Sequence, residues 1–414
     1  MAVGGVRRAV LTATALTACV IIFVSFYAPD WRPTGYVSYE CHIALPYAMA
    51  KTFLFLQNMK RFIVDAEKKL VYCFVAKTGT SFWKRVFNII AGRNKGNLLF
   101  NISSRGIHRQ RNPFEKFATT LNTMSFPRQY AFFQSATKFL FVRDPYERLY
   151  SGYIDRFFSV TDLLNVMSKR FSQFDVTSER PPRAKRPRRN GDETACHQHV
   201  NLTFVEFIQY VTESGPRRAN MHFKPVHLLC LPCLLDYDFI GKMETFRDDT
   251  IAILTSAGID PDDVFGDGSS FEENSDLNIL HDVSARSFLM FRRYARCFTR
   301  FQILRRTWVT FQIRGYLSVK YTFPLSEREA ETVTLDQFLE LVYDAYRRSV
   351  PHDITKKQRH LAVVEAFSSV PRSLLQAVQA YVQTDCDLFG YECSVDLRFP
   401  PKPARKLVFN IGSL

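Results

Sequence analysis

The chain has 414 residues, 46% of them hydrophobic and 38 of them phenylalanine, which excludes a disordered chain and allows a full core in one large domain or two smaller ones. The formal net charge of +15 at pH 7 favours anionic partners: nucleic acid, a membrane surface or an acidic polysaccharide.

Residues 9–28 contain no charged side chain. A helix of about 20 residues spans ~30 Å, one bilayer core. Arg7 and Arg8 precede it, and only Asp30 and Arg32 follow closely, so the positive-inside rule puts the N-terminus in the cytoplasm. A cleaved signal peptide is the rival. The long apolar stretch and the poor cleavage site at Phe26-Tyr27-Ala28 favour an uncleaved anchor. The expected layout is a cytoplasmic tail over 1–8, an anchor over 9–28, a stem over 29–65, a luminal domain over 66–400 and a tail over 401–414. The sequons Asn101-Ile102-Ser103 and Asn201-Leu202-Thr203 agree with a luminal domain and make Asn101 and Asn201 the expected glycosylation sites. Setting Cys19 aside in the anchor leaves Cys41, Cys73, Cys196, Cys230, Cys233, Cys297, Cys386 and Cys393, an even set that permits disulfides. Cys73 lies in an apolar run and reads as a buried thiol. Cys230-x-x-Cys233 lacks the second pair of a zinc site, so a structural role is expected.

Leu70-Val71-Tyr72-Cys73-Phe74-Val75 is continuously apolar and suits a strand buried on both faces. Lys77, Thr78, Gly79, Thr80 and Ser81 follow. Phe82, Val86, Ile89 and Ile90 then mark one stripe of a helix, with Ser81 as expected N-cap and Gly92 as expected stop. Unpaired N–H groups at that helix start, Lys77 and three hydroxyls together suit a phosphate or sulfate. This is not the Walker loop, in which the lysine follows the glycines. Residues 93–137 are mixed and basic, through Arg93, Lys95, Arg105, His108, Arg109 and Arg111; they read as a solvated face or a substrate groove.

A second apolar run, Phe139-Leu140-Phe141-Val142, leads into Arg143-Asp144-Pro145-Tyr146-Glu147. Asp144 as N-cap, Pro145 at N1 and Glu147 at N3 make a capping-box start. Arg143, at the strand end, can fork onto a phosphate, and Ser151 two turns on can add a hydroxyl. Residues 178–192 are rich in proline and arginine and read as a flexible loop; a nuclear-localisation role fits their composition but not the anchor. Helices are expected over 202–213, from Thr245 to Gly258, through Leu335, Phe338, Leu339, Val342 and Tyr346, and through Leu374, Leu375, Val378, Tyr381 and Val382. Much of 281–370 is basic, aromatic and irregular in period. It reads as an insertion that either alters substrate choice or is loosely ordered.

The segments CFVAKTGTSFWKR and FLFVRDPYERLYSGY resemble the cofactor loops of Golgi carbohydrate sulfotransferases. A third block runs from Met221-His222-Phe223-Lys224-Pro225 through Cys230-Leu231-Pro232-Cys233 to Tyr237-Asp238-Phe239-Ile240-Gly241-Lys242-Met243-Glu244-Thr245. It looks like the branch containing the chondroitin and dermatan 4-O-sulfotransferases, as does Asp385-Cys386-Asp387-Leu388-Phe389-Gly390-Tyr391. The four blocks stand in the family's order and cover roughly 65–275 and 372–393. Ala76 replaces the usual proline before the lysine, and Phe223 replaces the usual tryptophan after the histidine.

The resemblance implies an α/β fold with a mostly parallel sheet flanked by helices, similar to P-loop kinases. It implies sulfuryl transfer from 3′-phosphoadenosine 5′-phosphosulfate (PAPS) to a glycan hydroxyl, without a metal. Lys77, Thr78, Gly79, Thr80, Ser81 and Phe82 would hold the 5′-phosphosulfate, and Arg143 and Ser151 the 3′-phosphate. Lys77 would stabilise the leaving oxygen. The acceptor alcohol needs a base titrating near neutrality; His222 ranks before His108 and His227 because it falls in the family block. The implied setting is a single-pass type II protein of the Golgi membrane, with an anionic glycan partner and no nucleic acid. An inactive glycan-binding protein is the alternative outside enzymology. A nucleotide kinase is disfavoured by the missing Walker loop.

Overall fold

The computed structural model describes residues 61–91, 99, 107, 126–159, 202–233, 235–266, 271–295, 297–349 and 352–400. The expected anchor, the stem up to residue 60, Gly92, both sequon asparagines, His108, the basic stretch 178–192 and the tail over 401–414 lie outside these residues, whereas Phe62–Asp65, expected in the stem, form a buried strand of the domain. Among the described residues no helix is long and apolar enough to cross a membrane.

Four strands form one sheet in the order β1 (Phe62–Asp65), β2 (Leu70–Cys73), β3 (Thr137–Val142) and β4 (Phe239–Lys242). β1 is antiparallel to β2, while β2, β3 and β4 run parallel, with Cys73 opposite Leu140 and Val142 opposite Lys242. The two apolar runs are thus neighbours, and three parallel strands end at one edge. Side chains alternate across a strand. Val71, Cys73, Leu140 and Val142 meet one layer of helices, and Leu70, Tyr72, Phe139 and Phe141 meet the other. Both faces are covered, which is why these runs show no polar alternation.

The helices follow in chain order: α1 (Thr80–Ile90), α2 (Phe126–Ser135), α3 (Pro145–Tyr153), α4 (Phe204–Arg218), α5 (Val226–Cys230), α6 (Phe246–Ser256), α7 (Phe271–Tyr294), α8 (Arg300–Ile313), α9 (Leu335–Arg348), α10 (His352–Ser368) and α11 (Arg372–Phe389). α1 lays Trp83, Val86 and Phe87 on the Tyr72–Phe139 face, with Trp83 and Phe139 ring centroids 4.4 Å apart. α6 packs Ile253 and Leu254 on the same side, and α5 covers the other with Val226 and Leu229. The helices expected from Thr245, around Leu335–Tyr346 and around Leu374–Val382 are present as α6, α9 and α11.

Three expectations are corrected. β2 stops at Cys73, and the N-cap of α1 is Gly79, in left-handed geometry, so Ser81 lies inside the first turn. Cys73 is not a free thiol: it is bonded to Cys230, tying β2 to α5. Cys386 is bonded to Cys393, and Cys233 and Cys297 are also disulfide-bonded, in keeping with a structural role for Cys230 and Cys233. Finally, the described part of 281–370 is mostly helix, packed around Leu280, Leu304, Trp308, Phe311, Leu317, Phe338 and Val342. Its period is hidden because α8 is enclosed on several sides. Arg306, Thr307, Thr310 and Gln312 are buried along with its apolar residues. A helix covered all round shows no clean amphipathic stripe.

Candidate active site

The turn after β2 is held from within. The Thr78 and Thr80 hydroxyls both donate to the Val75 carbonyl, at 2.9 and 2.6 Å. Thr78 is fully buried, so its hydroxyl closes the turn and does not face a ligand. Lys77 has φ +75, a left-handed conformation costing a non-glycine residue ~1–2 kcal/mol, and such outliers gather at functional sites. Gly79 has φ +76, and a Cβ there would lie 2.6 Å from the Phe246 ring. Phe82 packs its ring on Phe246 and Phe265, so only its backbone can serve a ligand. α1 begins without a side-chain cap hydrogen bond, and its first turn carries the positive end of the helix dipole at this edge.

β3 delivers Arg143 to the same edge. Asp144 caps α3 as expected, accepting from the Glu147 N–H at 2.9 Å, with Pro145 at N1. The capping box is only half formed. The Asp144 N–H donates to Glu244 Oε1 at 3.3 Å, and Glu147 pairs with two arginines. Its Oε2 accepts from Arg143 Nη2 at 2.9 Å and from Arg359 Nη2 at 3.2 Å. Burial and the neighbouring Arg359 lower the Arg143 pKa to about 10, against the pull of Glu147. Ser151 lies further along α3, partly exposed.

Lys77 does not stand alone. Its Nζ is 3.2 Å from Asp155 Oδ2, and Arg314 Nη2 is 3.1 Å from Asp155 Oδ1. Burial lowers the Lys77 pKa to about 8, with Asp155 opposing and Arg314 and Arg143 adding to the drop. Burial would raise the Asp155 pKa, but Lys77, Arg314 and Arg156 outweigh it and keep the carboxylate ionised. Asp155 and Arg156 sit in a widened π-helical turn, Ile154–Phe158, just after α3. Such turns recur at functional sites.

His222 joins this cluster. Its Nδ1 hydrogen-bonds Asn220 Oδ1 at 2.7 Å, and its Nε2 accepts from Arg156. The expected near-neutral titration is not met: burial, then the Arg156 charge, push the His222 pKa down to about 3. His227 is held by Asp385 Oδ1 at 2.7 Å, and Asp385 also accepts the N–H groups of Val226 and His227. Phe223, where the resembling branch has tryptophan, is a core side chain packed on Phe157 and Phe207. A Cβ on Gly152 would come within 2.8 Å of its ring.

Arg148 is buried and ties the pieces together, donating to the carbonyls of Ala76 at 3.3 Å and Lys224 at 2.6 Å. The structure therefore brings Lys77, Arg143 and His222 to one edge of the sheet. It adds Glu147, expected only as a capping residue, and Arg148, Asp155, Arg156, Asn220, Arg314 and Arg359, which the sequence motifs did not single out. Arg314 and Arg359 had no signal, because contacts across so long a separation leave no local pattern. Among the described residues no group of three or more His, Cys, Asp or Glu side chains could hold a metal.

No solved structure matches the chain. Carbohydrate sulfotransferase 11 of Rattus norvegicus is 32% identical over 206 residues, 49% of this chain and 54% of that protein. Carbohydrate sulfotransferase 9 of Homo sapiens is 29% identical over 272 residues, covering 64% and 54%. Carbohydrate sulfotransferase 14 of Mus musculus is 31% identical over 211 residues, covering 51% and 48%. The chain spans about half the length of these curated relatives. The sequence profile described as "Sulfotransferase family" matches residues 60–287, more than half of the chain and both loops of the site. The chain belongs to the sulfotransferase family.

Proposed function

We propose that the chain transfers a sulfuryl group from PAPS to a hydroxyl of an anionic glycan. The observation that carries this is the meeting of Lys77 and Arg143 at the C-terminal ends of adjacent parallel strands, each followed by a helix, inside the family-matched segment. The residues suit a ligand with two separate anionic ends. Lys77 and the start of α1 suit the 5′-phosphosulfate. Arg143, with Ser151 on the following helix, suits the 3′-phosphate.

When bound, PAPS supplies the sulfuryl group. Lys77 is the cation for charge building on the leaving oxygen, and the N–H groups of Thr80, Ser81 and Phe82 serve the peripheral oxygens. In this reading Asp155 and Arg314 hold the Lys77 ammonium in place. His222 is neutral, with Nδ1 fixed by Asn220, so Nε2 carries the lone pair. An acceptor hydroxyl that displaced Arg156 from Nε2 would meet the base directly, and losing that cation would raise the basicity of the ring.

The 4-hydroxyl of a chondroitin- or dermatan-like chain is the acceptor position the third and fourth sequence blocks favour. We assign the domain to the Golgi lumen behind a type II anchor over 9–28. The support is the uncharged run, the two sequons and the disulfides, which belong to an oxidising compartment. The test is transfer of ³⁵S from labelled PAPS to a panel of glycosaminoglycans and N-glycans, with disaccharide mapping of the product. Transfer to a 4-hydroxyl supports the full reading. Glycan binding without transfer would replace it with the inactive binding protein.

A further inference from the structure

Resting on the reading that Arg143 holds the 3′-phosphate of the donor, we propose that Arg359 is a positioning residue that receives the Glu147 carboxylate when that phosphate arrives. Arg359 stands on α10, outside the family-matched residues 60–287.

At the third position of α3 the Glu147 carboxylate would ordinarily fold back to the N-cap N–H. Here Glu244 accepts from that N–H, and Glu147 is free to lie between two guanidinium groups. Arg143 reaches Oε2 through both Nε, at 3.3 Å, and Nη2, at 2.9 Å. Arg359 reaches the same oxygen at 3.2 Å, and His360 Nδ1 is 4.0 Å from Oε1. Arg143 is therefore occupied by an internal anion at the place where an external one would bind. Two anions on one guanidinium repel, so the carboxylate must give up Arg143. Arg359 offers it a second cation with no loss of contact, through a small rotation about the Glu147 side chain.

Arg359 is placed by construction. One residue before it, Gln358 is buried, donates to the carbonyls of Gln312 at 2.7 Å and Leu317 at 2.8 Å, and accepts from the Val319 N–H at 2.9 Å. At Gly315, φ is +78, and a Cβ would lie 2.5 Å from the Thr355 carbonyl oxygen. The turn that carries Arg314 is thus locked against α10, which carries Arg359. The Asp155 carboxylate, shared by Lys77 and Arg314, repeats the arrangement at the other anionic end.

The test compares binding of 3′,5′-adenosine bisphosphate (PAP) and AMP to the full chain by calorimetry. Their affinity ratio isolates the 3′-phosphate, and AMP serves as the folding control. Arg359→Ala is expected to lower the PAP/AMP ratio about tenfold, within the usual range for coupled sites. Glu147→Gln in that background is expected to restore it, because no carboxylate then competes for Arg143. An unchanged ratio in Arg359→Ala overturns the proposal. So does a double variant no better than Arg359→Ala, which would mean that Arg359 touches the phosphate itself. Arg143→Ala separates the two levels. If it leaves the wild-type ratio intact, the cofactor reading fails; if it removes the ratio while Arg359→Ala does not, only the Arg359 proposal fails.

Discussion

Lys77 and Arg314 grip opposite oxygens of one carboxylate, Asp155, at 3.2 and 3.1 Å. The lysine comes from the turn after β2 and the arginine from the end of α8. Removing the acid should therefore be felt by the lysine. Asp155→Asn leaves Lys77 and Arg314 facing each other without an anion, so the Lys77 pKa is expected to fall further. The measurement is the pH dependence of kcat, whose basic limb is expected to move to lower pH in the variant.

The Lys77 pKa of about 8 sets a pH dependence for donor binding. The ammonium attracts the 5′ anion and the neutral amine does not. PAP affinity is then nearly flat between about pH 7 and 8, and falls toward pH 6 as the phosphates of PAP take up protons. Above pH 8 it is expected to fall by about tenfold per unit, as one proton must be taken up on binding. Lys77→Arg keeps its charge throughout and is expected to abolish this break. Calorimetric titrations across pH 6–9 check both.

β2 and β3 were legible in the sequence because each is buried on both faces and so reads as an unbroken apolar run, whereas β1 fell inside the expected stem. Lys77 and Arg143 were legible too, since each stands just past the end of such a run. Three things were hidden. Thr78 looked like a ligand hydroxyl, but its proton goes to the Val75 carbonyl. His222 looked like a near-neutral base, but Arg156 lies on its Nε2. Arg156 is distant in sequence and no local pattern pairs them. α8 was obscured by polar residues buried along it, whose partners lie on other elements.

His222→Ala is expected to lower kcat about 10²-fold or more, as loss of a general base does, while PAP binding stays within about twofold. The split between steady-state kcat and calorimetric Kd is the readout. Equal losses in both would mean that His222 supports the donor loop.

Gly152 faces the Phe223 ring and the His222 carbonyl, with a Cβ expected 2.8 and 3.3 Å from them. Phe223 cannot retreat, because Phe157 and Phe207 close it in. Gly152→Ala is expected to cost about 1–3 kcal/mol of stability by overpacking. Thermal melting reads the loss. A variant as stable as the wild type would show that the Phe223 layer is looser than described.

Transfer of ³⁵S from PAPS to glycan by the wild-type chain and by Lys77→Ala, side by side, tests the central claim most directly. Transfer by the wild type is expected, with a fall in kcat of about 10²–10³ in a folded Lys77→Ala, the usual cost of removing one group that stabilises transition-state charge. Wild-type turnover in Lys77→Ala, or no transfer by a wild type that binds PAP, would contradict the claim.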